Sequence, residues 1–187
     1  IVLSQMFKKN ILTIIYCFLG LGCILIPSIS GYAKEYDYIN ISNPFLRKTP
    51  VAVTDFKSYN GHSTEVKAGI KAKYILREAL DFTGYLKTMN PVAFLSNPAE
   101  SGIQMGQINF RDWTGIGAEL LITGGIIESQ GKVTLELRLF DTFKTKLLVG
   151  VRYGGPKSQI RTMIHKFCSE ISYKLTGKWG VFNSKIA

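Results

Sequence analysis

The chain has 187 residues, of which 46% are hydrophobic and 19% charged, with a formal net charge of +10. That length accommodates one domain with a sizeable core rather than two large domains. The composition excludes bulk disorder, and the positive balance directs attention to acidic partners.

In chain order, the first methionine is Met6, followed by MFKKN and then ILTIIYCFLGLGCILIPSIS. Two lysines precede an apolar run that ends in small residues, the pattern of a bacterial secretory signal over residues 1–33 with Met6 as its start. Small residues at Gly31 and Ala33 favour cleavage after Ala33, with Ser30 as the alternative. The run from Ile11 to Ile29 is nearly long enough for an uncleaved anchor, but Pro27 and the small residues behind it favour removal. Leu19-Gly20-Leu21-Gly22-Cys23 puts leucine at −4 rather than −3 from the cysteine, which argues against a lipid anchor. Removing residues 1–33 takes Lys8 and Lys9 and no acid, so the charge falls from +10 to +8. Cys17 and Cys23 also leave, and the remaining Cys168 has no partner for an internal disulfide.

Residues 34–50, KEYDYINISNPFLRKTP, are expected to be extended: Tyr36, Tyr38 and Ile39–Ile41 suit a strand, and Asn43-Pro44 and Thr49-Pro50 break it. A domain over residues 51–180 follows. Val51 to Phe56 is a short apolar run of buried-strand type, and Asn60-Gly61 marks a turn. Ser63-Thr64-Glu65 predicts a helix start with a hydroxyl cap and a first-turn acid. Ala68, Ala72, Ile75, Ala79 and Phe82, with Leu76 and Leu80, make its core face, and Gly84 ends it. A strand over Tyr85–Met89, a long loop to Asn109 and a short helix over Phe110–Glu119, closed near Gly117, come next. LLITGGIIES, KVTLELRLFD and LLVGVRY then predict a three-strand antiparallel meander. Val133, Leu135, Leu137 and Leu139 alternate with polar residues, and Leu147, Val149, Val151 and Tyr153 repeat the period. Gly154-Gly155-Pro156 ends the meander. Ile160, Met163, Ile164, Phe167, Cys168, Ile171 and Leu175 predict a final helix closed by Gly177. The sum is an α/β fold with a mixed sheet sandwiched by helices.

Little in this pattern carries chemistry. Neither His62 nor His165 has a second metal ligand at helical or loop spacing, so no metal site is expected. Cys168 falls on an apolar stripe, as a small core residue does. Asp55, Asp81, Asp112 and Asp141 stand at element ends, where capping and turn roles are the default. Thr123-Gly124-Gly125 marks a bulge or close packing rather than a phosphate cradle. No cofactor fingerprint is present, and no catalytic set is expected. Lys157, Arg161, His165, Lys174 and Lys178 form a basic helix face without interleaved aromatics, which together with export argues against nucleic acid.

The stretches DYINISNPFLRKTPVAV, LDFTGYLK, INFRDWTGIGAELLITGGI, LELRLFDTFKTKLLVGVRY and MIHKFCSEISYKLTGKWGVFNSKIA, in that order, resemble the amino-terminal domain of the TolB family. That family is the periplasmic component of the Tol-Pal system of Gram-negative bacteria. The resemblance covers residues 36–187, and FRDWTGIGAE and LTGKWGVFNSKIA are its most specific parts. It implies a mixed sheet with helices on both faces, like the anticodon-binding domains of class II tRNA synthetases. It further implies a monomeric, non-enzymatic periplasmic adaptor without cofactor, acting in envelope integrity, cell division and protein import. TolA would be bound by the amino-terminal segment of the mature chain, here Glu35, Tyr36, Asp37, Tyr38, Ile39, Asn40 and Ile41. A short extended stretch of that kind suits strand addition to a partner's sheet edge; its alternative is an edge strand of its own domain. In the family, Pal is bound through a β-propeller, and residues 181–187 would be the start of that missing propeller. The rival reading is a stand-alone α/β accessory of a cell-wall synthase or secretion channel.

Overall fold

The computed structural model of the chain describes residues 47–95, 102–180 and 182. The expected leader and the segment Glu35–Ile41 lie outside the described residues. Within them the chain forms β1 (Thr49–Val53), β2 (Lys57–Ser58), α1 (Ser63–Phe82), β3 (Leu86–Thr88), α2 (Phe110–Gly115), β4 (Leu120–Ser129), β5 (Lys132–Asp141), β6 (Lys146–Pro156) and α3 (Ile160–Thr176). Short 3-10 turns sit at Pro91–Ala93, Met105–Gln107 and Lys157–Gln159.

The six strands described form one mixed sheet in the order β3-β1-β4-β5-β6, with β2 beside β4. β1 is parallel to both β3 and β4, while β4, β5 and β6 make the antiparallel meander. β2 continues the line of β1 along β4: Val53 lies beside Ile122, and Lys57 beside Gly125. The β4–β5 connection is a two-residue turn, Gln130-Gly131, with both φ angles positive at 50° and 72°. That backbone twist matches the twist of the strands it joins.

The sheet's two faces are covered unequally. On one, α1 and α3 seal the apolar side of β5, where Val133, Leu135, Leu137 and Leu139 are buried. Ala68, Ala72, Ile75, Leu76 and Leu80 come from α1, and Ile160, Ile164, Phe167, Cys168 and Ile171 from α3. Their helical spacing puts each set on one stripe, and burying a side chain such as Phe167 contributes about 1.5–3 kcal/mol. On the other face, Ala52, Leu121 and Phe140 are covered by Ile108, Ala118 and Trp113 of α2. Phe94 meets Trp113 edge-on at 5.0 Å, and Phe110 meets Phe140 at 5.7 Å. Helices therefore lie on both faces, as expected.

Gly124 and Gly125 mark close packing, since β4 and β5 stay in register through them. A Cβ on Gly124 would stand 2.6 Å from the Phe56 ring, and one on Gly125 2.6 Å from Tyr59 and 2.7 Å from Ile103.

Five details differ from expectation. Thr49-Pro50 is not a break before Val51: both residues open β1, paired with Leu86 and Lys87, so the domain's first strand begins at Thr49. Ser63 does not cap α1; His62 holds that position without a side-chain bond, and the first-turn Glu65 turns inward. Phe82 is 74% exposed, because it follows Leu80 past the covered part of the sheet and instead meets Phe182 edge-on at 6.4 Å. Leu147 leaves the apolar face of β6: the register passes from Leu139–Val149 to Phe140–Leu147, skipping Leu148, and this bulge turns Leu147 outward. Finally, β6 runs through Gly154 and Gly155 to Pro156 instead of stopping before them.

Candidate functional site

The expected partner-binding segment, Glu35, Tyr36, Asp37, Tyr38, Ile39, Asn40 and Ile41, precedes the described residues. What the structure gives is the platform it leads into. β1 follows at Thr49 and is an interior strand, paired on both sides, with Val51 and Ala52 fully buried. The Thr49 amide donates to the Tyr85 carbonyl at 2.9 Å, and the Glu119 amide to the Pro50 carbonyl at 3.1 Å. Arg47 pairs with the Glu119 carboxylate. β1 is thus an interior strand beside the edge strand β3, bonded along both of its sides.

The titratable groups behave as structural parts. Cys168 is buried under α3, and burial pushes its thiol up to about 12, which keeps it protonated and unreactive. His165 is half-buried, and burial together with Arg161 lowers its pKa; its ring lies 5.8 Å from Phe182. Asp81 accepts from the Thr88 amide at 2.8 Å and hydroxyl at 2.7 Å, Asp141 from the Lys144 amide at 2.8 Å, and Asp112 from Asn109 at 3.0 Å. Asp55 pairs with Lys73 at 2.6 Å. Asp112 and Asp141 take the capping and turn roles their positions imply, whereas Asp81 ties α1 to β3 and Asp55 pairs with α1 instead. Among the described residues no group of three or more His, Cys, Asp or Glu side chains could hold a metal ion.

The sequence reading missed Glu65. Fully buried, it accepts from the Asn60 amide at 2.9 Å, the Asn60 side chain at 3.1 Å, the Glu128 amide at 2.8 Å and the Ser58 hydroxyl. Burial alone would raise its pKa, but these donors outweigh it and hold the carboxyl below its ordinary value. The carboxylate joins β2, the turn after it, α1 and the end of β4. Nothing local in the sequence announces this beyond an acid in a first turn.

Among the described residues, exposed apolar side chains include those on α1 and beside β6. Val66, Ile70 and Tyr74 line the outer side of α1. Beside β6, Tyr153, Lys166, Ser169, Glu170, Trp179 and Gly180 line a cleft of 320 Å³, with Trp179 stacked on Tyr173 at 4.5 Å.

The sequence model of the TolB amino-terminal domain matches residues 37–148. This chain belongs to the TolB amino-terminal domain family. The match runs from Asp37, within the segment expected to bind a partner, to Leu148 in β6. The Tol-Pal system protein TolB of Desulfosudis oleivorans is 44% identical over 153 residues, covering 82% of this chain and 35% of the relative. That of Syntrophus aciditrophicus is 30% identical over 174 residues, covering 93% of this chain and 38% of the relative. The chain therefore spans little more than a third of the length of these curated TolB relatives. A crystal structure of TolB from Acinetobacter baumannii superposes with a TM-score of 0.56 at 21% identity, over 72% of this chain and 30% of that one. This likeness is one of fold: the mixed sheet and its helices are those of TolB. Among the described residues no helix is long and apolar enough to cross a membrane.

Proposed function

We propose that this chain is the TolA-facing part of a periplasmic, non-enzymatic adaptor of the Tol-Pal system. It is exported by a cleavable signal over residues 1–33 and acts in envelope integrity, cell division and protein import. The observation that carries this reading is family membership, with relatives named Tol-Pal system protein TolB. Glu35–Ile41 binds TolA as an added strand through main-chain hydrogen bonds, and its alternating bulk fits the two sides of a sheet edge. The rigidity of β1, buried and bonded on both sides, supports a role in which force or position is transmitted through the domain. The Pal-facing surface is assigned to the portion of the TolB relatives that these residues do not span.

Deleting residues 34–41 from the chain tests the assignment. The expected result is loss of TolA binding by calorimetry with the thermal unfolding of the domain unchanged. Retained binding would sink the reading.

A further inference from the structure

We propose that the free edge of β6 is a second docking site, one that takes an extended polypeptide of alternating acidic and apolar residues. Because the Gln130-Gly131 turn makes Ser129 and Lys132 a hydrogen-bonded pair, even-numbered residues of β5 bond β4 and odd-numbered ones bond β6. The Lys157 amide continues that series by donating to the Gly131 carbonyl at 2.9 Å. In β6 the bonded partners are then Val149, Val151, Tyr153 and Gly155. The main-chain groups of Gly150, Arg152 and Gly154 point away from the sheet, and β5 is the one strand paired with β6 among the described residues. Two of these three outward positions are glycine, so no side chain shields the backbone from an incoming strand.

The two sides of that edge state the chemistry of the occupant. An added strand lies about 4.8 Å from β6 and sends alternate side chains to opposite faces. On one side, those beside Tyr153 enter the 320 Å³ cleft with Trp179 and Lys166, which suits an aromatic or aliphatic group. On the other side they meet Arg152, which is exposed and directly across from Glu136. That carboxylate already receives Arg138 and, at 2.9 Å, the Tyr59 hydroxyl. Two guanidinium groups share one carboxylate, so the surface keeps a positive surplus. The same charge disfavours a second copy of this chain, whose own Arg152 would be brought to the same seam.

The test uses the full chain and a short synthetic peptide of alternating glutamate and valine with one central tyrosine. Trp179 reports binding, because the other tryptophan, Trp113, is buried. The peptide is expected to shift Trp179 fluorescence. Gly154→Pro, which removes an outward amide and leaves the β5 ladder intact, is expected to weaken binding about tenfold. Arg152→Glu is expected to do the same and to create binding of the lysine-for-glutamate peptide. If Gly154→Pro fails to fold, the charge swap at Arg152 decides alone. Equal affinity for both peptides, no binding at all, or a dimer in sedimentation that Gly154→Pro dissolves would overturn the proposal, the last by assigning the edge to a second copy.

Discussion

The helix-covered face of the sheet and its opposite face follow different rules. Under α1 and α3 every inward position of β5 is apolar and buried, from Val133 to Leu139. The opposite face of the same strand carries half-buried Thr134, Glu136 and Arg138, and only its far end, at Phe140, is fully buried. One face holds the apolar core, and the other carries the charged cross-strand cluster of Glu136, Arg138 and Arg152.

If that division holds, the same kind of truncation should have very different costs on the two faces. Phe167→Ala, beneath α3, is expected to lower stability by about 3–5 kcal/mol in urea unfolding, because the cavity adds to the lost burial. Gly124→Val tests the helix-covered face from the opposite direction. Its side chain would run into the Phe56 ring, for an expected loss of about 1–3 kcal/mol through overpacking.

Glu65→Gln should cost about 1–3 kcal/mol near neutral pH, since a buried acceptor set loses its charge and part of its bonds. Its pKa is lowered in the folded chain from the ordinary 4.5, so its stabilisation is complete above that value. The stabilisation disappears as pH falls through the depressed folded pKa. Urea titrations over that acid range should therefore show the parent chain losing more stability than Glu65→Gln, with the two curves converging. Parallel curves would place the carboxylate outside the linkage.

On the open side, Arg152→Ala and Leu147→Ser should each change stability by no more than about 0.5 kcal/mol. A loss comparable to that of Phe167→Ala at either position would erase the contrast between the faces.

Much of this arrangement was legible in the residues, and for a physical reason. Strong periodicity reports a face that is covered along its whole length, which is why β5 and α3 were placed correctly. Gly84, Gly117 and Gly177 were legible as stops because each has a positive φ, between 72° and 80°. What escaped depends on contacts distant in sequence. β2 is two residues long and exists because it lies along β4. Glu65 resembles any first-turn acid until Glu128, far along the chain, supplies its amide. Leu147 fits the period of β6 by spacing alone, and only pairing with β5 exposes the bulge that turns it out. Phe82 continues the stripe of α1 beyond the sheet that gives the stripe its meaning.

The most direct measurement is amide hydrogen exchange on the full chain with and without TolA. The account predicts slowed exchange across Glu35–Ile41, while the amides of Val51, Ala52 and Val53 stay slow in both states. Slowed exchange within the domain and none across Glu35–Ile41 would contradict it.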